Sequence, residues 1–336
     1  MVLRFPRCPK CKLSASVALG TLVLCWFYIY PVNRLPSDNQ IINEVLQLGQ
    51  TWKKNETTVH LYRELLMDCC DPREKFAVTR GNTPLGTVLW YDGELFYFHT
   101  VSNHTYPLFV QESPIKVPLK KCAVVGNGGI LKGSGCGGHI DRADFVMRCN
   151  LPPLSEDYTQ DVGSRTHLVT ANPSIIVERF QGLMWSRKAF VESMRAYGRS
   201  FVYMPAFSSR PGTDPSLRAG HALADSGSEQ TVLFASPDFL RSVERFWKGR
   251  GVRARRLSTG LFLASLALGL CEEVELYGFW PFAKDPRGRP VGHHYYNDVP
   301  PLWGVHAMPE EFLRLWELHK GGALRMRVDS CPREAD

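Results

Sequence analysis

A chain of 336 residues, 44% of them hydrophobic, has room for one large domain or two small ones and apolar content for a core. It carries no internal repeat and no low-complexity tract, which excludes solenoid and linker-like architectures. The formal net charge of +7 is concentrated at the N-terminus and in one later run, Lys248-Gly-Arg-Gly-Val-Arg-Ala-Arg-Arg256.

The N-terminus reads as a membrane anchor. Arg4, Arg7, Lys10 and Lys12 precede an uncharged run from Leu13 to Asn33, and Arg34 follows it. A run of that length crosses a hydrocarbon core of roughly 30 Å. Because the basic flank is N-terminal, the positive-inside rule assigns 1–12 to a cytosolic tail, 13–33 to a transmembrane signal anchor and the remainder to the far side. Trp26, Phe27, Tyr28 and Tyr30 fall where interfacial aromatics belong. A cleaved signal peptide is the alternative, but the run is long for one and no small-x-small site ends it.

Asn55-Glu-Thr57 and Asn103-His-Thr105 are glycosylation acceptors in the segment this topology makes lumenal, whereas Asn172-Pro-Ser174 is disqualified by its proline. Of ten cysteines, Cys8 and Cys11 fall in the tail and Cys25 in the span. Cys8-Pro-Lys-Cys11 has no second pair nearby to complete a zinc site. Cys69, Cys70, Cys122, Cys136, Cys149, Cys271 and Cys331 remain for disulfides. That remainder is odd, so at least one thiol is free or pairs with another chain.

Residues 34–58 form a polar stem with a weak helical period in Ile41, Ile42, Val45 and Leu46. One lumenal domain, 59–336, follows. Val59–Cys69 has helical spacing and stops at Asp71-Pro72. Thr87–Val101 alternates and is rich in aromatics, with Asp92-Gly93 as a hairpin turn. Strands are predicted at Cys122–Val125, Phe145–Cys149, Thr166–Val169, Ser200–Met204 and Val274–Tyr277. Helices are predicted at Ser174–Phe180, Arg187–Ala196, Pro237–Trp247, Thr259–Leu270 and Pro309–His319. Their alternation predicts an α/β fold with a largely parallel sheet and helices on both faces.

Three segments carry chemistry. Cys122–Val125 runs into Gly126-Asn-Gly-Gly129, where glycines let backbone N–H groups approach an anionic ligand, and the next strand ends at Asn150 before Pro152-Pro153. Ser258-Thr-Gly260 opens a helix that is apolar nearly all round; Ser258 is an N-cap, and the helix start presents N–H groups to a phosphate. His293-His-Tyr-Tyr296 and His306-Ala-Met-Pro-Glu310 bring histidines into loops, His306 just before a helix, where an imidazole can take a proton from a sugar hydroxyl or simply be a surface or core residue. His293, His294 and His306 lack the spacing of a zinc site. No Asp-x-Asp occurs anywhere, which suits a donor with one phosphate rather than a metal-held diphosphate. The basic run 248–256 suits an anionic sugar nucleotide or an acidic membrane lipid; behind a membrane there is no nucleic acid to bind.

In order, Cys122 to about Val169, Leu257–Tyr277, His293–Tyr296 and His306–Glu310 resemble the long, short, third and very short sialyl motifs of the animal sialyltransferases. Flanking text such as Met67-Asp-Cys-Cys-Asp-Pro72, Trp90-Tyr-Asp-Gly-Glu94 and Leu183-Met-Trp-Ser-Arg-Lys188 is similar to the α-2,8-sialyltransferases acting on gangliosides. The resemblance implies a variant glycosyltransferase-A-like, Rossmann-type fold. It also implies that Asn127 and Asn150 contact a cytidine monophosphate–sialic acid donor, and that Asn172, Pro173 and Ser174, Ser258, Thr259 and Gly260, and Gly278, Phe279 and Trp280 line its cytidine and phosphate. His306 matches the catalytic base and His293 a histidine near the phosphate. Cys122 would pair with Cys271, and Cys136 with Cys331. Gly137-Gly138 and Gly292 stand where bulkier or polar residues are expected, and add flexibility beside Cys136 and His293.

The implied reaction is metal-independent, cofactor-free, inverting transfer of sialic acid to the 8-hydroxyl of a terminal sialic acid on a membrane glycolipid, sialyl-lactosylceramide, in the Golgi lumen. A homodimer or a complex with other Golgi glycosyltransferases is left open. Rival readings are a sialyltransferase acting on glycoprotein glycans or other gangliosides, a nicotinamide-dependent oxidoreductase lacking a good G-x-G-x-x-G, and a sialic-acid lectin that would not need His306.

Overall fold

The computed structural model describes residues 17–25, 35–48, 52–94, 96–299 and 304–332. The chain divides into two compact units, Met1–Glu44 and Val45–Asp336. Within the first, 17–25 form helix α1. The remainder of the predicted span 13–33 lies outside the described residues; among those described, no helix is long and apolar enough to cross a membrane. Helix α2 (Asp38–Leu48) starts behind a reciprocal cap in which Ser37 N–H donates to Gln40 Oε1 at 2.8 Å.

The second unit opens with α3 (Glu56–Cys70), capped by Asn55, whose side chain accepts from Thr58 N–H, and closed by Asp71 in the left-handed region at φ 44°. An antiparallel ribbon follows, β1 (Val88–Trp90) and β2 (Phe98–Thr100), with Trp90 opposite Phe98. This register corrects the expected two-residue turn. The connection spans 91–97, and Asp92 and Gly93 donate their N–H groups to Phe207 and Ser208 instead.

The main sheet has seven strands, all parallel, in the order β7-β6-β5-β4-β3-β8-β9. They are β3 (Leu119–Val125), β4 (Phe145–Arg148), β5 (Leu168–Thr170), β6 (Phe201–Met204), β7 (Thr231–Phe234), β8 (Cys271–Tyr277) and β9 (Arg325–Arg327). From β3 the chain steps outward to β7, then returns to lay β8 on the other side of β3. The carboxyl end of β3 is therefore the topological switch point, where open α/β sheets bind ligands.

Strand register decides which side chains share a face. Val125, Arg148, Val169 and Val202 are register partners, so they point the same way. On that side lie α4 (Gly137–Asp141), α5 (Glu156–Val162), α6 (Pro173–Phe180), α7 (Arg187–Met194) and α8 (Arg210–Asp225), whose apolar residues join theirs in two buried clusters. The same face buries Arg148, whose guanidinium donates to the carbonyls of Val162 and Arg165, and Glu275, which pairs with Lys121 and Arg327. The remaining helices, α9 (Pro237–Lys248) and α10 (Thr259–Leu270), pack with α3. Helix α11 (Met308–Lys320) leads into β9.

Two disulfides join Cys122 to Cys271 and Cys136 to Cys331, the implied pairs. A third joins the adjacent Cys69 and Cys70. The odd cysteine is Cys149, free and buried, its thiol pushed up to about 12 by burial and hence unreactive.

Candidate active site

The carboxyl ends of β3, β4, β5 and β8 bring Asn127, Asn150, Asn172 and Gly278–Phe279 to one edge of the sheet, with the start of α10 beside them. Each asparagine is half-buried and locally fixed. Asn127 donates from Nδ2 to Cys149 O at 3.0 Å, while its buried Oδ1 has no partner among the described residues. Asn150 lies in the left-handed region at φ 59°, followed by Leu151 at φ 43°, a strained pair. It is held because Asn150 N–H donates to Thr170 Oγ1 at 2.8 Å and Leu151 O accepts from Arg179 at 2.7 Å. Asn172 donates to Thr259 Oγ1 at 3.0 Å, tying the β5 loop to the first turn of α10.

The glycine loop works differently from the expectation. Gly126 N–H goes to Tyr277 O at 2.8 Å and Gly128 N–H to Gly278 O at 3.0 Å, so neither is available to a phosphate. A Cβ on Gly126 or Gly128 would stand 2.8 or 2.6 Å from Gly278 O. These glycines let the β3 and β8 loops touch. Gly260 likewise makes room for Phe279, whose ring would lie 2.9 Å from a Cβ there. The Trp280 side chain is buried against Phe282 and Phe312, with its indole N–H on Lys284 O. Gly137 is a packing requirement rather than a flexible point, since a Cβ would meet Thr159 O at 2.0 Å, whereas Gly138 faces open space.

The segment 293–295 pairs with the glycine loop through Gly129 N–H to His293 O at 3.3 Å and Tyr295 N–H to Asn127 O at 3.0 Å. His293 is thereby set opposite Gly129, with its own N–H on Asp298 Oδ1 at 2.7 Å. Burial, then the neighbouring His294, push its imidazole below the ordinary range, against Asp298.

His306 is placed by a second set of bonds. Arg256 N–H donates to Val305 O at 3.0 Å, and Arg256 O lies 2.8 Å from His306 Nδ1. A carbonyl can only accept, so Nδ1 carries a proton, and in the neutral ring Nε2 is the nitrogen with the lone pair. Two further bonds bind the same segments, Arg253 N–H to Glu310 Oε2 at 2.6 Å and Ser258 N–H to Glu311 Oε1 at 2.9 Å. Glu311 is buried, and burial, more than its neighbour Glu310, pushes its carboxyl up to about 7. Ser258 Oγ caps Leu261 N–H at 3.1 Å, leaving the N–H groups of Thr259 and Gly260 at the helix start.

Sequence reasoning missed Thr170, Arg256, whose carbonyl accepts from His306 Nδ1, and Glu311 as a buried group. A glutamate at a helix N-terminus reads as a dipole partner; only the fold shows that it turns inward. Among the described residues, no group of three or more His, Cys, Asp or Glu is arranged to hold a metal ion.

Loops gathered at the switch point of a parallel sheet, with an imidazole bonded beside the start of α10, mark the ligand site of an α/β enzyme, and comparison gives its class: the chain belongs to glycosyltransferase family 29, the sialyltransferases, whose family model matches residues 77–323. It is 60% identical over 328 residues to the alpha-N-acetylneuraminide alpha-2,8-sialyltransferase of Bos taurus, covering 98% of this chain and 92% of the relative. The Xenopus tropicalis protein of that name is also 60% identical, covering 97% of this chain and 95% of the relative. Alpha-2,8-sialyltransferase 8E of Homo sapiens is 44% identical over 281 residues, covering 83% and 75%. A crystal structure of a mammalian sialyltransferase aligns with a TM-score of 0.45 at 22% identity over 88% of this chain and 87% of its own.

Proposed function

We propose that this enzyme transfers sialic acid from cytidine monophosphate β-N-acetylneuraminic acid to the 8-hydroxyl of a terminal sialic acid on a membrane glycolipid, sialyl-lactosylceramide. The observation that carries the mechanism is the bond from His306 Nδ1 to Arg256 O, which leaves Nε2 basic. Nε2 takes the proton of the 8-hydroxyl as its oxygen attacks the anomeric carbon. The bond from that carbon to the phosphate oxygen breaks on the opposite face, its electron pair leaves with cytidine monophosphate, and β becomes α. The N–H groups at the start of α10 and a proton on His293 stabilise the departing phosphate; an arriving anion offsets the burial that lowers the His293 imidazole. The unpartnered Asn127 Oδ1 is an acceptor for a hydroxyl or amine of the donor.

The reaction proceeds without a metal, a reading supported by the absence of Asp-x-Asp. Placement as a single-pass type II Golgi membrane protein is supported by the disulfides and by the exposure of Asn55 and Asn103. The test is to incubate the full chain with donor and a panel of soluble and lipid-linked sialylated acceptors, with and without a chelator, and determine the product linkage. An α-2,8 disialyl lipid formed in chelator is expected. Transfer only to protein glycans, or activity restored only by a divalent cation, refutes the acceptor or the metal-free reading respectively.

A further inference from the structure

The ribbon outside the main sheet has a surface that folding alone does not require. Leu89 points inward and is buried with Phe207, whereas Val88, Trp90 and Phe98 on the outward positions are 44%, 51% and 51% exposed. The solvent face of an antiparallel ribbon is ordinarily polar. Here it is apolar, with Trp90 and Phe98 packed edge to face at 5.2 Å. Phe96, in the bend, is 89% exposed, Tyr97 next to it is exposed too, and so is Leu85 near the other end of the ribbon.

Cations flank this face. The Arg210 guanidinium lies 5.0 Å from the centre of the Tyr97 ring, and Arg241, itself paired with Asp238, donates to the carbonyls of Trp90 and Tyr91. Asp92, in the bend, lies in the field of Arg241, Arg256 and Lys248, and of Glu244.

The ribbon also borders the active site. Its bend is bonded to the loop that follows β6, through Gly93 N–H to Ser208 O at 2.8 Å and Arg210 N–H to Glu94 Oε2 at 3.0 Å. Two residues into α8, Gly212 abuts Pro173, next to Asn172, so closely that a Cβ there would stand 2.9 Å from the proline ring. Arg256, within electrostatic reach of Asp92, is the residue whose carbonyl holds His306.

We propose that this ribbon seats the catalytic unit on the bilayer that carries the acceptor, its aromatic face entering the head-group layer and the exposed Arg210, over the Tyr97 ring, meeting an anionic head group. Tryptophan, tyrosine and phenylalanine beside an arginine are the side chains that partition to a membrane interface, and that guanidinium complements an anionic lipid. The assignment rests on the glycolipid reading given above. It adds a contact that holds the active-site mouth at the height of a lipid-linked sugar.

The test uses the full chain in vesicles of phosphatidylcholine and phosphatidylserine. Brominated phosphatidylcholine is expected to quench a component of the tryptophan fluorescence that vanishes in Trp90→Phe. A variant carrying Trp90→Ser, Phe96→Ser and Phe98→Ser is expected to lose about tenfold or more in kcat/KM on a vesicle-embedded sialyl lipid, yet stay within about twofold on a water-soluble sialyl oligosaccharide. The proposal is overturned if no Trp90 component is quenched or if both acceptors suffer equally. It is overturned too if the substitutions change the oligomeric state without a lipid-selective loss, which would make the ribbon an interface between copies. Should the native enzyme ignore every lipid acceptor, the glycolipid reading fails, and the quenching still decides where the ribbon sits.

Discussion

Glu311→Gln should make the protein more stable at alkaline pH and leave it unchanged at acid pH. The carboxyl is buried, accepts one backbone N–H from Ser258, and is raised by burial from 4.5 to about 7. Below about pH 4.5 it is protonated in both the folded and unfolded chain and costs nothing. As pH rises toward 7, the unfolded chain releases the proton first, so the folded state binds more protons and stability falls. Above about pH 7 the buried charge costs about 3 kcal/mol, an upper figure because the dipole of α11 favours a negative charge in its first turn. Glutamine keeps an oxygen for Ser258 N–H and never ionises. Urea unfolding of both proteins at equal ionic strength should therefore coincide at about pH 4 and diverge by about 2–3 kcal/mol in favour of the variant at about pH 8. A difference independent of pH, or a native protein that is the more stable at alkaline pH, refutes the reasoning.

His306→Ala should lower turnover by about 10²–10⁴ while donor binding, measured by calorimetry with cytidine monophosphate, persists; near-normal turnover would remove the base assignment. Gly137→Ala should destabilise by about 1–3 kcal/mol because its Cβ meets backbone at 2.0 Å, while Gly138→Ala, with nothing near, should be neutral or slightly stabilising in thermal unfolding. Replacing Cys122 and Cys271 with serine opens a loop with a sequence separation of 149, for which chain entropy sets an upper loss of about 5 kcal/mol, read by denaturant midpoint.

The parts of the fold that were legible are those whose local chemistry agrees with their tertiary role. Ser258 announces α10, and the structure starts that helix at Thr259 and ends it at Leu270, as expected. Helix α8 was missed because Arg210-Pro-Gly212 and the internal Pro215 look like breakers; packing of Gly212 on Pro173 and Gly220 under Phe234 outweighs that propensity. Strand β9 was missed because Arg325-Met-Arg327 is short and charged; Glu275 on the neighbouring strand pairs with both of these half-buried arginines. In the site, the asparagines and histidines were visible as residue types. The occupied N–H groups of Gly126 and Gly128 were not, since a loop that binds a ligand and a loop that binds its neighbour use the same glycines.

The bonds between 253–258 and 305–311 have a consequence for how such an enzyme diversifies. Arg253, Arg256 and Ser258 each hold a partner on the second segment, so the start of α10 and the imidazole of His306 move as one piece. In their proposed roles, the spacing between leaving group and base is set when the chain folds, before either substrate arrives. Drift in either segment changes both ends of the reaction at once. A lineage that trades one sugar acceptor for another therefore has its freedom elsewhere, on surfaces that touch the acceptor without touching this brace.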